Sequence, residues 1–143
     1  MILRQAQDER EGEAIRIAGY AALFGVADGA ADTILPGAFA RTLRERSEPF
    51  PLYWQHRAAQ RIGTVESLVE DARGLRVIAR IDRPDRLAAA LLRRREVSGL
   101  SFGYRARGYR RSGEGRVLGE IDLFEVSLVT HPLQPGARVH MVR

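Results

Sequence analysis

A chain of 143 residues, 45% hydrophobic and 29% charged, has material for one core and a single domain spanning residues 1–143. Its 23 basic residues are all arginine and outnumber 18 acidic ones for a net charge of +5, which suits acidic partners such as nucleic acid or acidic protein segments. The lack of cysteine excludes a disulfide scaffold or a thiolate nucleophile and fits a reducing cytoplasm; the three histidines have no metal-ligand spacing, no apolar run nears the roughly 20 residues of a membrane span, and the polar N-terminus is not a signal peptide.

Residues 1–13 are polar and read as a flexible N-terminal segment or an edge. Residues 15–23 (IRIAGYAAL) alternate as a first strand, with Gly19 placed for a bulge. After a loop over 24–32, Pro36 and Gly37 make a turn into a short amphipathic helix carrying Phe39 and Leu43 four apart, which Pro49 and Pro51 end. Residues 52–56 read as a second strand that brings His56 to a strand end, followed by a short loop over 57–60. Residues 61–70 and 74–81 are two further strands joined by a hairpin turn at Asp71-Ala72-Arg73-Gly74. Asp82 is placed to cap a second helix, with Pro84 in its first turn, Leu87, Leu91 and Leu92 as its apolar stripe and three arginines at its end. A strand over 97–104, a basic glycine-containing loop over 105–115, a long strand over 117–129 stopped by His131-Pro132, and a short last strand near 137–142 complete the chain. Six or seven strands and two short helices without βαβ alternation predict a mainly β domain, a small antiparallel sheet or barrel.

Chemistry concentrates at a few positions. In Val97-Ser98-Gly99-Leu100-Ser101-Phe102-Gly103-Tyr104, period-2 alternation points Leu100, Phe102 and Tyr104 to one face and Gly99, Ser101 and Gly103 to the other. Glycines weaken a strand and mark a close approach by another group, so Ser101 is an accessible hydroxyl on a bare face, as a nucleophile beside a base requires. The commoner reading of such an octet is a small-residue face packed under a helix. Glu125 stands in the middle of the nearly continuous apolar run 121–129, where a carboxylate needs a partner: one of the arginines, or a histidine that it orients. Asp122, nearer the strand start, is more easily solvated. His56, behind Tyr53 and Trp54, is either a structural histidine or a base. A serine, a histidine and a carboxylate together fit nucleophilic catalysis, in which histidine takes the serine proton and the carboxylate fixes the tautomer.

The ordered set Gly19-Tyr20-Ala21 with Phe24, Ile34-Leu35-Pro36-Gly37-Ala38-Phe39, Trp54-Gln55-His56 with Ile62-Gly63, the octet around Ser101, and Leu123-Phe124-Glu125-Val126-Ser127-Leu128-Val129-Thr130 before Pro132 resembles the HK97-type prohead proteases of tailed phages, relatives of the herpesvirus assemblin proteases. The resemblance implies a small β-barrel flanked by helices. It also implies a serine endopeptidase that needs no cofactor or metal and acts inside an assembling procapsid in the bacterial host cytoplasm. Its partners would be the major capsid protein, scaffold segments and itself, by autoproteolysis or as a homo-oligomer. By the same resemblance the nucleophile is Ser101 and the base is His56. Assemblin-type enzymes place a second histidine one strand beyond the nucleophile; here that place holds Glu125, with Asp122 and His131 as alternatives for the third member. Backbone N–H groups of residues 131–134, or Arg105, are candidates for the oxyanion donor. Family members often continue into a C-terminal segment that is self-cleaved or directs packaging; this chain ends soon after the last motif, as a processed form or a minimal member from a gene transfer agent would.

Two other readings compete. Tyr104, Arg105, Arg107, Tyr109, Arg110 and Arg111 interleave aromatics with cations, as in a basic β-barrel that binds nucleic acid, although no aromatic stripe recurs elsewhere. A catalytically inert capsid-assembly protein would keep the fold but has little reason to spare Ser101, His56 and Glu125 together.

Overall fold

The computed structural model of the chain describes residues 15–82 and 87–143. Eight strands form one curled sheet: β1 (Ile15–Leu23), β2 (Asp32–Ile34), β3 (Pro51–Trp54), β4 (Arg57–Glu70), β5 (Gly74–Ile81), β6 (Gly99–Ser112), β7 (Gly115–Val129) and β8 (Val139–Val142). Two short helices, α1 (Ala40–Glu45) and α2 (Leu87–Arg93), accompany it. The order is β2-β7-β3-β4-β5-β1-β8, with β6 on the opposite edge of β7. The architecture is therefore mainly β with few helices, as the alternation predicts.

Alternation drives the antiparallel half. β5 buries Leu75, Val77, Ala79 and Ile81 and turns Arg76 and Arg80 to its other face, pairing with β1 on one side and β4 on the other. The predicted hairpin turn joins β4 to β5: Asp71 Oδ1 accepts the backbone N–H groups of Arg73 (2.8 Å) and Gly74 (3.1 Å). The sheet curls back on itself where the Leu100 N–H donates to Ala137 O and the Val139 N–H to Ser98 O. Gly19 permits this closure, since a Cβ there would lie 2.2 Å from Arg138 O.

β7 is the hub. One edge pairs with β6 over its whole length. The other edge meets three neighbours in turn. β2 runs parallel to residues 116–118 and β3 runs parallel to residues 126–128. Between them α1 fills the gap: the Ile121 N–H donates to Ala38 O (2.9 Å) and the Leu123 N–H to Thr42 Oγ1 (3.1 Å). The Pro36–Phe39 turn that leads into α1 is held by Glu70, whose two carboxylate oxygens accept the N–H groups of Gly37 and Phe39. Phe39 is fully buried and meets Phe102 edge-on, with ring centroids 5.4 Å apart.

Several boundaries depart from the sequence reading. The basic stretch 105–112 is strand, not loop: β6 and β7 continue as a two-stranded ribbon to a turn at Gly113, whose φ is +61°. Polar residues on both faces hid it from an alternation test. β4 begins at Arg57, so residues 57–60 are strand as well. In α2 the buried face is Ala88, Ala89 and Leu92, while Leu87 is exposed. The N-terminal segment 1–13 and Pro84 lie outside the described residues.

A buried ionic cluster ties β2, β6 and β7. Asp32 is 3% exposed and takes two bonds from Arg116 (2.9 and 2.7 Å) and one from the Tyr104 hydroxyl (2.8 Å). Arg116 chiefly, with help from Tyr104, holds the Asp32 carboxyl below the ordinary carboxylate range, against its burial. Burial first, then the bond to Asp32, pushes the Tyr104 hydroxyl up.

Asp32→Asn is expected to cost about 2–3 kcal/mol at neutral pH, less than a wholly buried pair because Arg116 is partly solvated. The depressed carboxyl contributes fully above its unfolded value of about 3.9 and loses that contribution as pH falls through the lower folded value. Chemical denaturation at a series of pH values should therefore show the gap between wild type and Asp32→Asn closing only in strong acid.

Candidate active site

β6 and β7 present one shared outer face. Their register sets Gly99 opposite Val129, Ser101 opposite Ser127 and Gly103 opposite Glu125. Leu100, Phe102, Val126 and Leu128 point the other way, into the core. This is the face that period 2 assigns to Gly99, Ser101 and Gly103.

Glu125 reaches that face through a bulge. Ile121 and Leu123 are core residues, so unbroken alternation would send Glu125 inward after them. The register instead jumps between Gly103–Glu125 and Tyr104–Leu123, leaving Phe124 unpaired and half exposed. The extra residue flips the parity of all that follows. Gly103 supplies the room: a Cβ there would stand 2.5 Å from Glu125 Oε1. At the other end of the face Pro132 lies over Gly99, where a Cβ would meet Pro132 Cδ at 2.7 Å. Ser101 sits between the two glycines.

His56 arrives from the neighbouring strand. β3 pairs Tyr53 with Ser127 and Trp54 with Leu128, then turns back into β4 with Trp54 opposite Arg57. The loop between them is only Gln55-His56, and both have left-handed backbone, with φ of +52° and +62°. That is the pattern of a two-residue hairpin normally built from Asn and Gly, at a cost of about 1–3 kcal/mol for each unsuited residue. β7 restrains it. The Gln55 amide donates to Thr130 Oγ1 (2.5 Å) and accepts the Thr130 N–H (3.2 Å), the Gln55 N–H donates to Leu128 O, and the His56 N–H donates to Ser127 Oγ (3.1 Å).

The result is a compact constellation. His56 Nδ1 lies 2.5 Å from Glu125 Oε1, and Ser127 Oγ donates to Glu125 Oε2 at 2.5 Å. The carboxylate is almost fully buried, while the imidazole is 43% exposed. Ser101 shares the face; among the described residues no hydrogen bond joins its hydroxyl to His56. Ser101 is buried, 4% exposed, because Pro132 and Glu125 cover the glycines on either side of it, so the accessible hydroxyl expected from the sequence is not what the structure shows. A base held by a carboxylate can support proton transfer to and from a serine nucleophile that it reaches.

Other candidates are placed elsewhere. Asp122 lies before the bulge and pairs with Arg105 (3.0 Å) and Arg107 (3.4 Å), so the Arg105 guanidinium, one of the oxyanion candidates, is engaged there. His131 is exposed beyond the end of β7. The Gln134 side chain is buried and bonds the backbone of Leu23 and Val26, anchoring the segment after β7 onto β1. Ser127, Gln55 and Thr130 were not signalled as partners by the sequence; the one hint is Ser127, the single hydroxyl of the apolar run 121–129, two residues after Glu125.

A family model described as caudovirus prohead serine protease matches residues 2–143. The chain is 30% identical over 128 residues to the prohead protease of Enterobacteria phage HK97, covering 85% of this chain and 57% of that protein, so it spans little more than half of that relative's length. Its fold is similar to the Kaposi's sarcoma herpesvirus (KSHV) protease solved with a hexapeptide phosphonate inhibitor (TM-score 0.66, 15% identity, 91% of this chain and 65% of that one). It is also similar to the varicella-zoster virus protease (TM-score 0.61, 18% identity, 89% and 63%) and to the bacteriophage T4 capsid assembly protease (TM-score 0.64, 16% identity, 82% and 82%). At these identities the structural likeness shows a shared fold.

Gly103→Ala tests the geometry without touching a polar group. Its Cβ is expected to push the Glu125 carboxylate off His56 at a cost of about 1–3 kcal/mol. The far-downfield proton of the imidazole–carboxylate bond in the NMR spectrum should then disappear while the protein stays folded.

Proposed function

The chain belongs to the caudovirus prohead serine protease family, and we propose that it is the endopeptidase of a maturing procapsid, with Ser101 as nucleophile, His56 as base and Glu125 as the carboxylate behind the base. The observation that carries this reading is the His56–Glu125 bond on the face where Ser101 stands between two glycines. In the proposed cycle His56 Nε2 takes the Ser101 proton as Oγ attacks the scissile carbonyl. Imidazolium then returns the proton to the leaving amine, and water repeats the sequence on the acyl-enzyme. Glu125 keeps Nδ1 protonated and stabilises imidazolium charge. The backbone of residues 131–134 is the favoured oxyanion donor: Pro132 packs beside Gly99, two residues from Ser101, and Gln134 pins the segment.

The proposed substrates are scaffold segments, or the scaffolding region at the N-terminus of the major capsid protein, and the protease itself, within the procapsid. The nucleic-acid reading loses part of its support because two of its four arginines, Arg105 and Arg107, are paired with Asp122, which leaves Arg110 and Arg111 to carry it. Retention of all three site residues in bonded or register-matched positions speaks against an inert assembly protein.

Purified chain mixed with the major capsid protein of the same genome should give one defined truncation by intact mass. Ser101→Ala and His56→Ala are each expected to lower the rate by about 10³-fold or more, and Glu125→Gln by about 10²-fold or more. Equal cleavage by wild type and Ser101→Ala would overturn the assignment.

A further inference from the structure

We propose that Ser127 is a positioning residue: its hydroxyl locks the Glu125 carboxylate and the His56 backbone into one unit that aims the imidazole at Ser101. This rests on the triad reading above and adds a fourth member to it.

The direction of the hydroxyl is forced. Ser127 Oγ accepts the His56 N–H at 3.1 Å, and a backbone N–H can only donate. The single Ser127 proton therefore goes to Glu125 Oε2, 2.5 Å away. The two carboxylate oxygens are thereby divided, Oε1 to the imidazole and Oε2 to Ser127. The last torsion of a glutamate is broad and roughly two-fold, so one bond to a half-exposed imidazole leaves the group free to swing. The second bond removes that freedom.

Gln55 ties the turn to β7 at Leu128 and Thr130, and Ser127 adds a bridge that joins the two proposed site residues themselves. His56 lies in the left-handed turn between β3 and β4, and Glu125 lies on β7. Ser127 is fully buried, and a hydroxyl there is costly unless both its donor and its acceptor are used. Both are used, and both bonds end on proposed triad residues. The commitment of its proton to Glu125 argues against Ser127 as an alternative nucleophile.

The test is the kinetics of Ser101 phosphonylation by a fluorophosphonate, which needs no knowledge of the natural substrate. Labelled wild type and variants are digested to locate the adduct. With Ser127→Ala the maximal rate of labelling is expected to fall about tenfold or more while half-saturating reagent stays within about twofold, since base catalysis is weakened and binding is not. Ser127→Cys fills the same space with a weak donor and should show the same split, which separates positioning from loss of fold. Circular dichroism confirms that at least one of the two is folded. Labelling of either folded variant at the wild-type maximal rate would overturn the role of Ser127 and leave the triad standing. Absence of any adduct on wild-type Ser101 would overturn the triad reading and this inference with it.

Discussion

The carboxylate of Glu125 is where the constraints on this fold meet. It stands on the longest strand of the sheet, in an apolar run, and is nearly buried. Such a group is tolerated only when its oxygens are bonded. Three separate devices make that so: the unpaired Phe124 flips the strand to send Glu125 outward, Gly103 leaves space for it, and the β3–β4 turn delivers His56 and, through Ser127, a second partner. Remove any one and a buried charge loses its place. The site is thus set by the backbone path of β7 and its neighbours rather than by a flexible loop, which suits a group that must hold an imidazole to within a fraction of an ångström.

β7 can serve this role because its free edge is shared. β2, α1 and β3 occupy successive stretches of it, and two of the three are parallel contacts between segments far apart in sequence. The Asp32–Arg116–Tyr104 cluster clamps one end, and the Gln55–Thr130 pair clamps the other. The strained Gln55-His56 turn lies against the second clamp. Left-handed backbone at two adjacent non-glycine residues persists only where surrounding bonds over-determine it, and here β7 provides them.

Much of the site was legible in the chain. The shared face of Gly99, Ser101 and Gly103 follows from period 2, although Ser101 on it is buried, and Glu125 draws notice as a charge in an apolar strand. The resemblance, running from about residue 15 to the end, implied His56 as the base, and the family model matches the family that the resemblance named. What was hidden has physical causes. Neither Gln nor His signals a left-handed turn, so His56 read as a strand end. A bulge leaves no trace in composition, so alternation alone would have sent Glu125 into the core with Ile121 and Leu123. The ribbon over 105–112 has solvent on both faces and therefore no hydrophobic period. Ser127 gives no signal of its role in the sequence, since its value lies in two bonds to groups that only the tertiary fold brings together.

The most direct measurement is a crystal structure of the chain after reaction with a peptidyl phosphonate. The phosphorus is expected on Ser101 Oγ, with His56 Nε2 within about 3 Å of the serine oxygen and Nδ1 still on Glu125. An adduct on another side chain, or a His56 ring that leaves Glu125 and faces away from Ser101, would contradict the proposed site.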